Sequence, residues 1–192
     1  RACWQKGTIA VSVDPDWKLL EGFRPDVVID AILAKNNLGT AMDEAPLVIG
    51  LGPGFVAGQD VHVVVETQRG HHLGKIITDG SAERNTGIPG SIGGFTEERV
   101  LRAPCDGEFK TLCSIGDTVK TGMQIGAVAV EVVTARMDGV LRGLIRSATQ
   151  VHKGLKIGDI DPRGDAQFCY TISDKARAIS GSVLEAILRV YN

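Results

Sequence analysis

Val100–Val128, VLRAPCDGEFKTLCSIGDTVKTGMQIGAV, and Val132–Ile160, VVTARMDGVLRGLIRSATQVHKGLKIGDI, align without a gap at a constant offset of 32 residues. Ala103 matches Ala135, Asp106-Gly107 matches Asp138-Gly139, and Leu112 matches Leu144. Val119 matches Val151, Gly122 matches Gly154, and Ile125-Gly126 matches Ile157-Gly158. Each copy reads as an Asp-Gly turn, an alternating strand, a second turn and a short strand after a glycine. A unit this short cannot bury its own apolar face, so two copies are expected to close into one small β structure with pseudo-twofold symmetry.

Ala103-Pro104-x-x-Gly107 followed by Gly116-Asp117-x-Val119-x-x-Gly122 resembles the biotinyl/lipoyl-type carrier domain, a flattened barrel-sandwich of two such halves. Carriers of that type present a modified lysine on the hairpin between the halves. Here that hairpin, Val128-Ala129-Val130-Glu131-Val132-Val133, has none, the nearest being Lys120 and Lys153. The resemblance therefore implies a structural or docking domain, with no biotin or lipoate.

Upstream, Leu47–Lys75 (LVIGLGPGFVAGQDVHVVVETQRGHHLGK) concentrates unusual chemistry. Leu47-Val48-Ile49 is a strand-type run that ends in Gly50-Leu51-Gly52-Pro53-Gly54-Phe55. Glycines at this density permit positive φ and let backbone N–H groups converge on an anion. A second run, Val61 to Val65, leads into Glu66-Thr67-Gln68-Arg69-Gly70-His71-His72-Leu73-Gly74-Lys75. That tail gathers acid, base, amide and imidazole between glycines. The pattern is not GxGxxG, and a strand–turn–strand connection is the structural alternative; the two readings stand level. Phe55 to Asp60 is too short for a crossover helix, so the two strands are expected to be antiparallel or in different sheets.

The formal net charge of −2, without a Lys/Arg block, gives no sign of nucleic-acid binding. No apolar run approaches the roughly 18–20 residues that span a bilayer, and scattered cysteines are most simply the free thiols of a cytoplasmic protein. The cysteines Cys3, Cys105, Cys113 and Cys169 form no CxxC pair and read as free thiols. The histidines His62, His71, His72 and His152 lack zinc-ligand spacing, so no metal is expected. The chain opens on Arg1 rather than Met, from which an absent N-terminal portion is expected.

Thr8 to Val13 (TIAVSV) reads as a strand, as does Val27-Val28-Ile29, which ends at Asp30. Asp30 at a strand's carboxyl end is either a ligand contact or a helix N-cap. Ala31 to Asn37 is a short helix or a loop. Thr78 to Thr96 carries five glycines and no hydrophobic period. A lid, with Ile88, Ile92 and Phe95 to bury, is preferred over a linker. Phe168 to Ile172 reads as a strand. Ser173 then caps a helix in which Ala176, Ile179, Val183, Ala186 and Ile187 face the N-terminal domain.

Taken together, the chain resembles the YqeB-type accessory proteins of the selenium-dependent molybdenum hydroxylase system. The motifs that carry this are Asn37-Leu38-Gly39-Thr40, Pro46 to Phe55, Val65-Glu66-Thr67 with Arg69-Gly70-His71, and Asn85-Thr86-Gly87. Glu97 to Pro104, Lys156 to Arg163 and Ile172 to Ala178 extend them over nearly the whole chain. Family members begin with a Gly-rich, Rossmann-like segment that this chain lacks, so no dinucleotide site is carried over from it. Ile32 stands where an arginine is expected. The resemblance implies maturation or supply of a hydroxylase's molybdenum centre, and hence an accessory protein more than a catalyst.

The expected fold is α+β. A small α/β domain (1–98) with a glycine loop and lid precedes the duplicated β domain (99–165), and a strand plus helix (166–192) packs back on the first. The candidate ligand is a small phosphate-bearing anion, the molybdenum cofactor or a nucleotide. The candidate residues are Gly50, Gly52, Gly54, Phe55, Glu66, Thr67, Arg69, His71, His72, Lys75, Asn85 and Thr86. Expected partners are the hydroxylase or its maturation factors, with self-association left open and neither nucleic acid nor membrane involved. The alternatives are a docking scaffold without a ligand, and an enzyme acting on the molybdenum cofactor with His71 or His72 as base and a cysteine as sulfur or selenium carrier.

Overall fold

The computed structural model describes residues 2–192, mostly strands with few helices and one long C-terminal helix, an α+β arrangement. It divides into two compact units, residues 1–84 with 178–192, and residues 85–177.

The first unit contains α1 (Ala2–Gln5), α2 (Leu19–Gly22), β1 (Val27–Asp30), β2 (Leu47–Leu51), β3 (Val63–Val65) and β4 (Ile76–Ile77). Its sheet runs β1-β2-β3-β4, the first three parallel and β4 antiparallel. Strands covered on both faces read as continuous apolar runs. All five residues of β2 are accordingly buried. One face packs Val28, Val48, Val61 and Val64 with Phe55 and Ala57. The other packs Leu47, Ile49, Leu51 and Val65 against Ile179, Val183, Ala186 and Ile187 of α3 (Asp174–Tyr191). That helix is begun by Ser173, whose Oγ accepts from the Ala176 amide at 3.2 Å. Its Ser180-Gly181-Ser182 step of small residues suits a close approach, since a Cβ on Gly74 would lie 2.7 Å from Ser182 Oγ. Thr8–Val13, expected as a strand, forms no strand pairing among the described residues; Thr8 alone is tied down, its amide and Oγ1 both donating to the Cys3 carbonyl at 2.9 Å. Ile9, Val11 and Val13 are 90%, 93% and 96% exposed.

The second unit contains β5 (Val100–Arg102), β6 (Gly107–Thr111), β7 (Thr118–Val119), β8 (Gln124–Val128), β9 (Glu131–Thr134), β10 (Gly139–Leu144), β11 (Thr149–Val151) and β12 (Lys156–Asp161). They form two sheets, β5-β12-β10-β7 and β11-β6-β8-β9, around one core that includes Phe109, Val119, Ile125, Leu141, Val151, Ile157 and Ile160. Moving each strand by the 32-residue offset carries one order onto the other read backwards, so every pairing has a counterpart. The matched glycines Gly126 and Gly158 are required by close approach. A Cβ there would lie 2.4 Å from the Lys110 carbonyl oxygen and 2.9 Å from that of Gly143.

The matched aspartates exchange halves. Asp106 Oδ1 accepts from the Lys153 amide at 2.7 Å, and Asp138 Oδ1 accepts from the Thr121 amide at 2.9 Å. Lys120 and Thr121 hold the Asp138 carboxyl down to about 2. A carboxyl depressed on folding stabilises the native state above its unfolded pKa of about 3.9, and that contribution disappears as pH falls through the folded value. An NMR titration of Asp138 should therefore show a midpoint near pH 2, moving upward in Lys120→Gln; a midpoint near the unfolded value in the parent chain would contradict the staple.

Phe168–Ile172, expected as a strand, is replaced by a 3₁₀ turn at Ala166–Cys169. Asp165 accepts from the Gln167 amide at 2.9 Å, and the Arg163 guanidinium sits 4.3 Å over the Phe168 ring. A local cap and a cation–π contact outweigh the β propensity of so short a run. The cysteines are all free. Cys113 is buried in the core, and burial raises both its thiol and that of Cys105.

Candidate functional site at the carboxyl ends of three parallel strands

Because β1, β2 and β3 are parallel, their carboxyl ends share one edge, where open α/β sheets bind ligands. The expectation that β2 and β3 are antiparallel or in separate sheets is overturned: Ile49, Gly50 and Leu51 stand beside Val63, Val64 and Val65 in parallel register. A crossover needs covered strands rather than a helix as such. Segment 52–62 turns through Gly54 and Gly58, at φ 112° and 82°, and buries Phe55 and Ala57 where a helix would place its apolar stripe. His62 Nδ1 accepts from the Val48 amide at 3.0 Å and ties the return to the sheet. The glycine turn and the 66–75 loop therefore leave the same edge.

The turn is a smaller cradle than expected. Gly50 lies in the β2 ladder, and a Cβ on it would meet the Phe55 ring at 2.6 Å. The Gly52 amide donates to the Val65 carbonyl at 2.9 Å, and a Cβ there would lie 2.5 Å from Thr67 Oγ1. The Phe55 side chain is core. Gly50, Gly52 and the Phe55 ring thus build the turn and are not ligand contacts. Two consecutive amides are left, those of Gly54 and Phe55, to which no acceptor among the described residues is matched. The next amides are already engaged, Val56 with Asp60 Oδ2 at 2.8 Å and Ala57 with the Gly80 carbonyl at 2.7 Å. Gly54 is exposed, and a Cβ on it would meet the Asn36 backbone at 2.7 Å.

Asn36 belongs to the loop that leaves β1, which is a loop and not a helix. Asp30, buried, accepts from the Ile32 amide at 2.9 Å and from Thr40 Oγ1 at 2.6 Å. Its two oxygens lock the loop, so the ligand contact raised for it gives way to a structural role. Asn37 Oδ1 accepts from the Gly39 and Thr40 amides, each at 2.8 Å. Between these anchors Leu33 and Lys35 adopt φ of 60° and 72°, the left-handed region that L side chains rarely enter. Such strain persists where surrounding contacts over-determine it and gathers at binding loops.

The third loop is a closed one. The Glu66 amide donates to Lys75 and the Gly74 amide to Glu66, both at 2.9 Å. The Glu66 side chain is 2% exposed; Oε1 accepts from the Gln68 amide and Oε2 from the Glu83 amide, each at 2.7 Å. Glu66 and buried Thr67 are therefore framework. Arg69, His71, His72 and Lys75 are exposed, and the two imidazoles meet edge to face with centroids 5.2 Å apart. Asn85 and Thr86 fall in the other unit, where Asn85 Oδ1 accepts from the Gly87 amide at 3.2 Å. The segment expected as a lid leaves Ile88 and Phe95 exposed and is held through Arg99, whose Nε and Nη2 donate to the Gly90 carbonyl at 3.3 and 3.1 Å. The apolar side chains that argued for a lid are not buried.

Sequence reading missed Glu44, on the segment returning to β2. Its Oε2 is buried with no hydrogen-bond partner. Burial raises its carboxyl, with Asp43 and Asp30 adding to the effect. Only depth distinguishes it from any other acidic residue beside a turn. Among the described residues no group of three or more His, Cys, Asp or Glu is arranged to hold a metal ion, and no helix is long and apolar enough to cross a membrane.

No family model matches the chain. It resembles a crystal structure of an aspartoacylase family protein from Mesorhizobium loti at a TM-score of 0.30, with 16% identity over 45% of this chain and 27% of that one. It is 50% identical over 188 residues to the uncharacterized protein YqeB of Escherichia coli (strain K12). That match takes in 98% of this chain and 35% of the relative, so the chain spans about a third of the curated relative it matches. Over nearly its whole length, then, the chain is similar to one part of YqeB.

Proposed function

We propose that the chain binds a small phosphate-bearing anion, a pterin cofactor or a nucleotide, as an accessory protein in maturing a selenium-dependent molybdenum hydroxylase. The observation that supports the binding reading is the pair of consecutive amides, Gly54 and Phe55, left without acceptors at the carboxyl edge of a parallel sheet. Backbone donors in a glycine turn hold an anion at little reorganisation cost. Lys35, on the loop laid against Gly54, and Arg69 and Lys75 of the 66–75 loop are exposed cations beside the turn. The hydroxylase system is carried by the family resemblance alone. The duplicated unit is read as a biotinyl/lipoyl-like barrel-sandwich that has lost its lysine and docks. Docking through this unit without a ligand is the second reading, and it requires a contiguous exposed apolar patch of several hundred Å².

Titration with inorganic phosphate, molybdopterin, its cytidylylated form and common nucleotides, followed by ¹⁵N amide shifts, tests the reading. Gly54 and Phe55 should move first. Gly54→Ala should weaken binding at least about tenfold, since a side chain at positive φ costs about 1–2 kcal/mol and here also strikes Asn36. Unchanged Gly54 and Phe55 shifts at millimolar concentrations of every ligand would refute it.

A further inference from the structure

Among the described residues the sheet of the first unit ends on β1, which pairs with β2 alone and has no strand on its outer backbone edge. Val27 and Ile29 lie on the face that carries Leu47 and Ile49, and Ile29 at the margin is 41% exposed. An open edge with apolar residues is a template for another strand. The same unit holds a segment of matching type. Thr8–Val13 alternates polar or small residues with Ile9, Val11 and Val13, all at least 90% exposed, and residues 9–13 make no backbone hydrogen bond.

We infer that Thr8–Val13 of one copy adds as an antiparallel strand to the β1 edge of a second copy, reciprocally, in a twofold dimer. Charge selects the direction and register. With Ile9 opposite Ile29 and Val11 opposite Val27, Asp14 comes opposite Arg24, an attractive pair. Parallel addition with the same apolar match sets either Lys6 beside Arg24 or Asp14 beside Asp30, like charges in both registers. The antiparallel alternative, Val11 opposite Ile29, sets Asp14 against Asp26. Exchange between copies also leaves the connection intact. Asp14 accepts from the Lys18 and Leu19 amides at 3.0 and 2.8 Å, and Trp17 turns at φ 55°, so folding back onto the chain's own β1 would undo that turn. A twofold axis satisfies both edges at once and closes the assembly.

Sedimentation of the chain at about 100 µM should show a dimer. Val11→Lys should weaken it at least about tenfold by placing an unpaired ammonium in the new strand, with the monomer's thermal melt unchanged because Val11 is already exposed. With Cys3 replaced by serine, a Val11→Cys chain mixed with a Val27→Cys chain should oxidise to a covalent heterodimer. A monomer at that concentration, a dimer indifferent to Val11→Lys, or an intramolecular disulfide in the Val11→Cys/Val27→Cys double variant would each overturn the inference.

Discussion

Replacing Asp161 by alanine is expected to lower the stability of the second unit by about 3 kcal/mol, the low end of the roughly 3–5 kcal/mol lost when one partner of a buried ion pair is removed. The carboxylate is 1% exposed and fully engaged. Oδ2 accepts from Arg142 at 3.0 Å and from Arg163 Nη2 at 2.7 Å, while Oδ1 accepts from Arg163 Nε at 2.9 Å and its amide at 3.1 Å. Alanine leaves the amide and two guanidinium groups facing the hole. The low end applies because Arg163 is half exposed and turns to water, whereas Arg142 is better covered. In a domain of this size such a loss moves the calorimetric midpoint by on the order of 10–20 °C. The Arg163 guanidinium, ahead of its amide and Arg142, holds the Asp161 carboxyl below the usual range. Its contribution is therefore complete above the unfolded pKa of about 3.9 and fades as pH falls through the folded value. The destabilisation by alanine should shrink accordingly in acid. A midpoint within a degree or two of the parent at neutral pH would show that the network contributes nothing net.

The second large effect is expected at Glu66, and it joins stability to the candidate site. Glu66→Ala strands the Gln68 and Glu83 amides in a buried position, at about 1–3 kcal/mol for each unsatisfied donor. A loss of about 3 kcal/mol in the first unit is expected, together with release of the 66–75 loop. Hydrogen exchange at those two amides reports it directly, and their protection should fall on the order of a hundredfold. Glu66→Gln keeps one acceptor and turns an NH₂ group toward the other amide, so one of the two should stay protected. Unchanged protection at both amides in the alanine variant would mean that the carboxyl is not the clasp.

Much of this is legible residue by residue. The offset repeat leads to eight strands and two sheets of matching order because the glycines and aspartates sit where backbones touch or halves exchange bonds. The C-terminal helix is readable from a serine cap and apolar residues at helical spacing, and α3 presents Ile179, Val183, Ala186 and Ile187 to the sheet as its pattern requires. The glycine turn and the 66–75 loop were readable as unusual stretches, but which of their groups the fold itself consumes was not. Gly50, Gly52, Glu66 and Thr67 have the composition of a ligand loop, yet a glycine needed for a ring above it and one needed for a ligand look alike in one dimension. The same holds for a glutamate that clasps two amides and one that meets a substrate.

The sequence by itself determined the period, the caps and the turn positions, since these depend on neighbours within a few residues or on a repeat that displays itself. Tertiary structure alone decided that β2 and β3 run parallel, that Asp30 and Glu66 are consumed as locks, and that the amides of Gly54 and Phe55 are left over. Strand direction depends on how a connection is covered. The status of a donor depends on whichever carbonyl the fold brings to it, and neither is written in the residues that carry them.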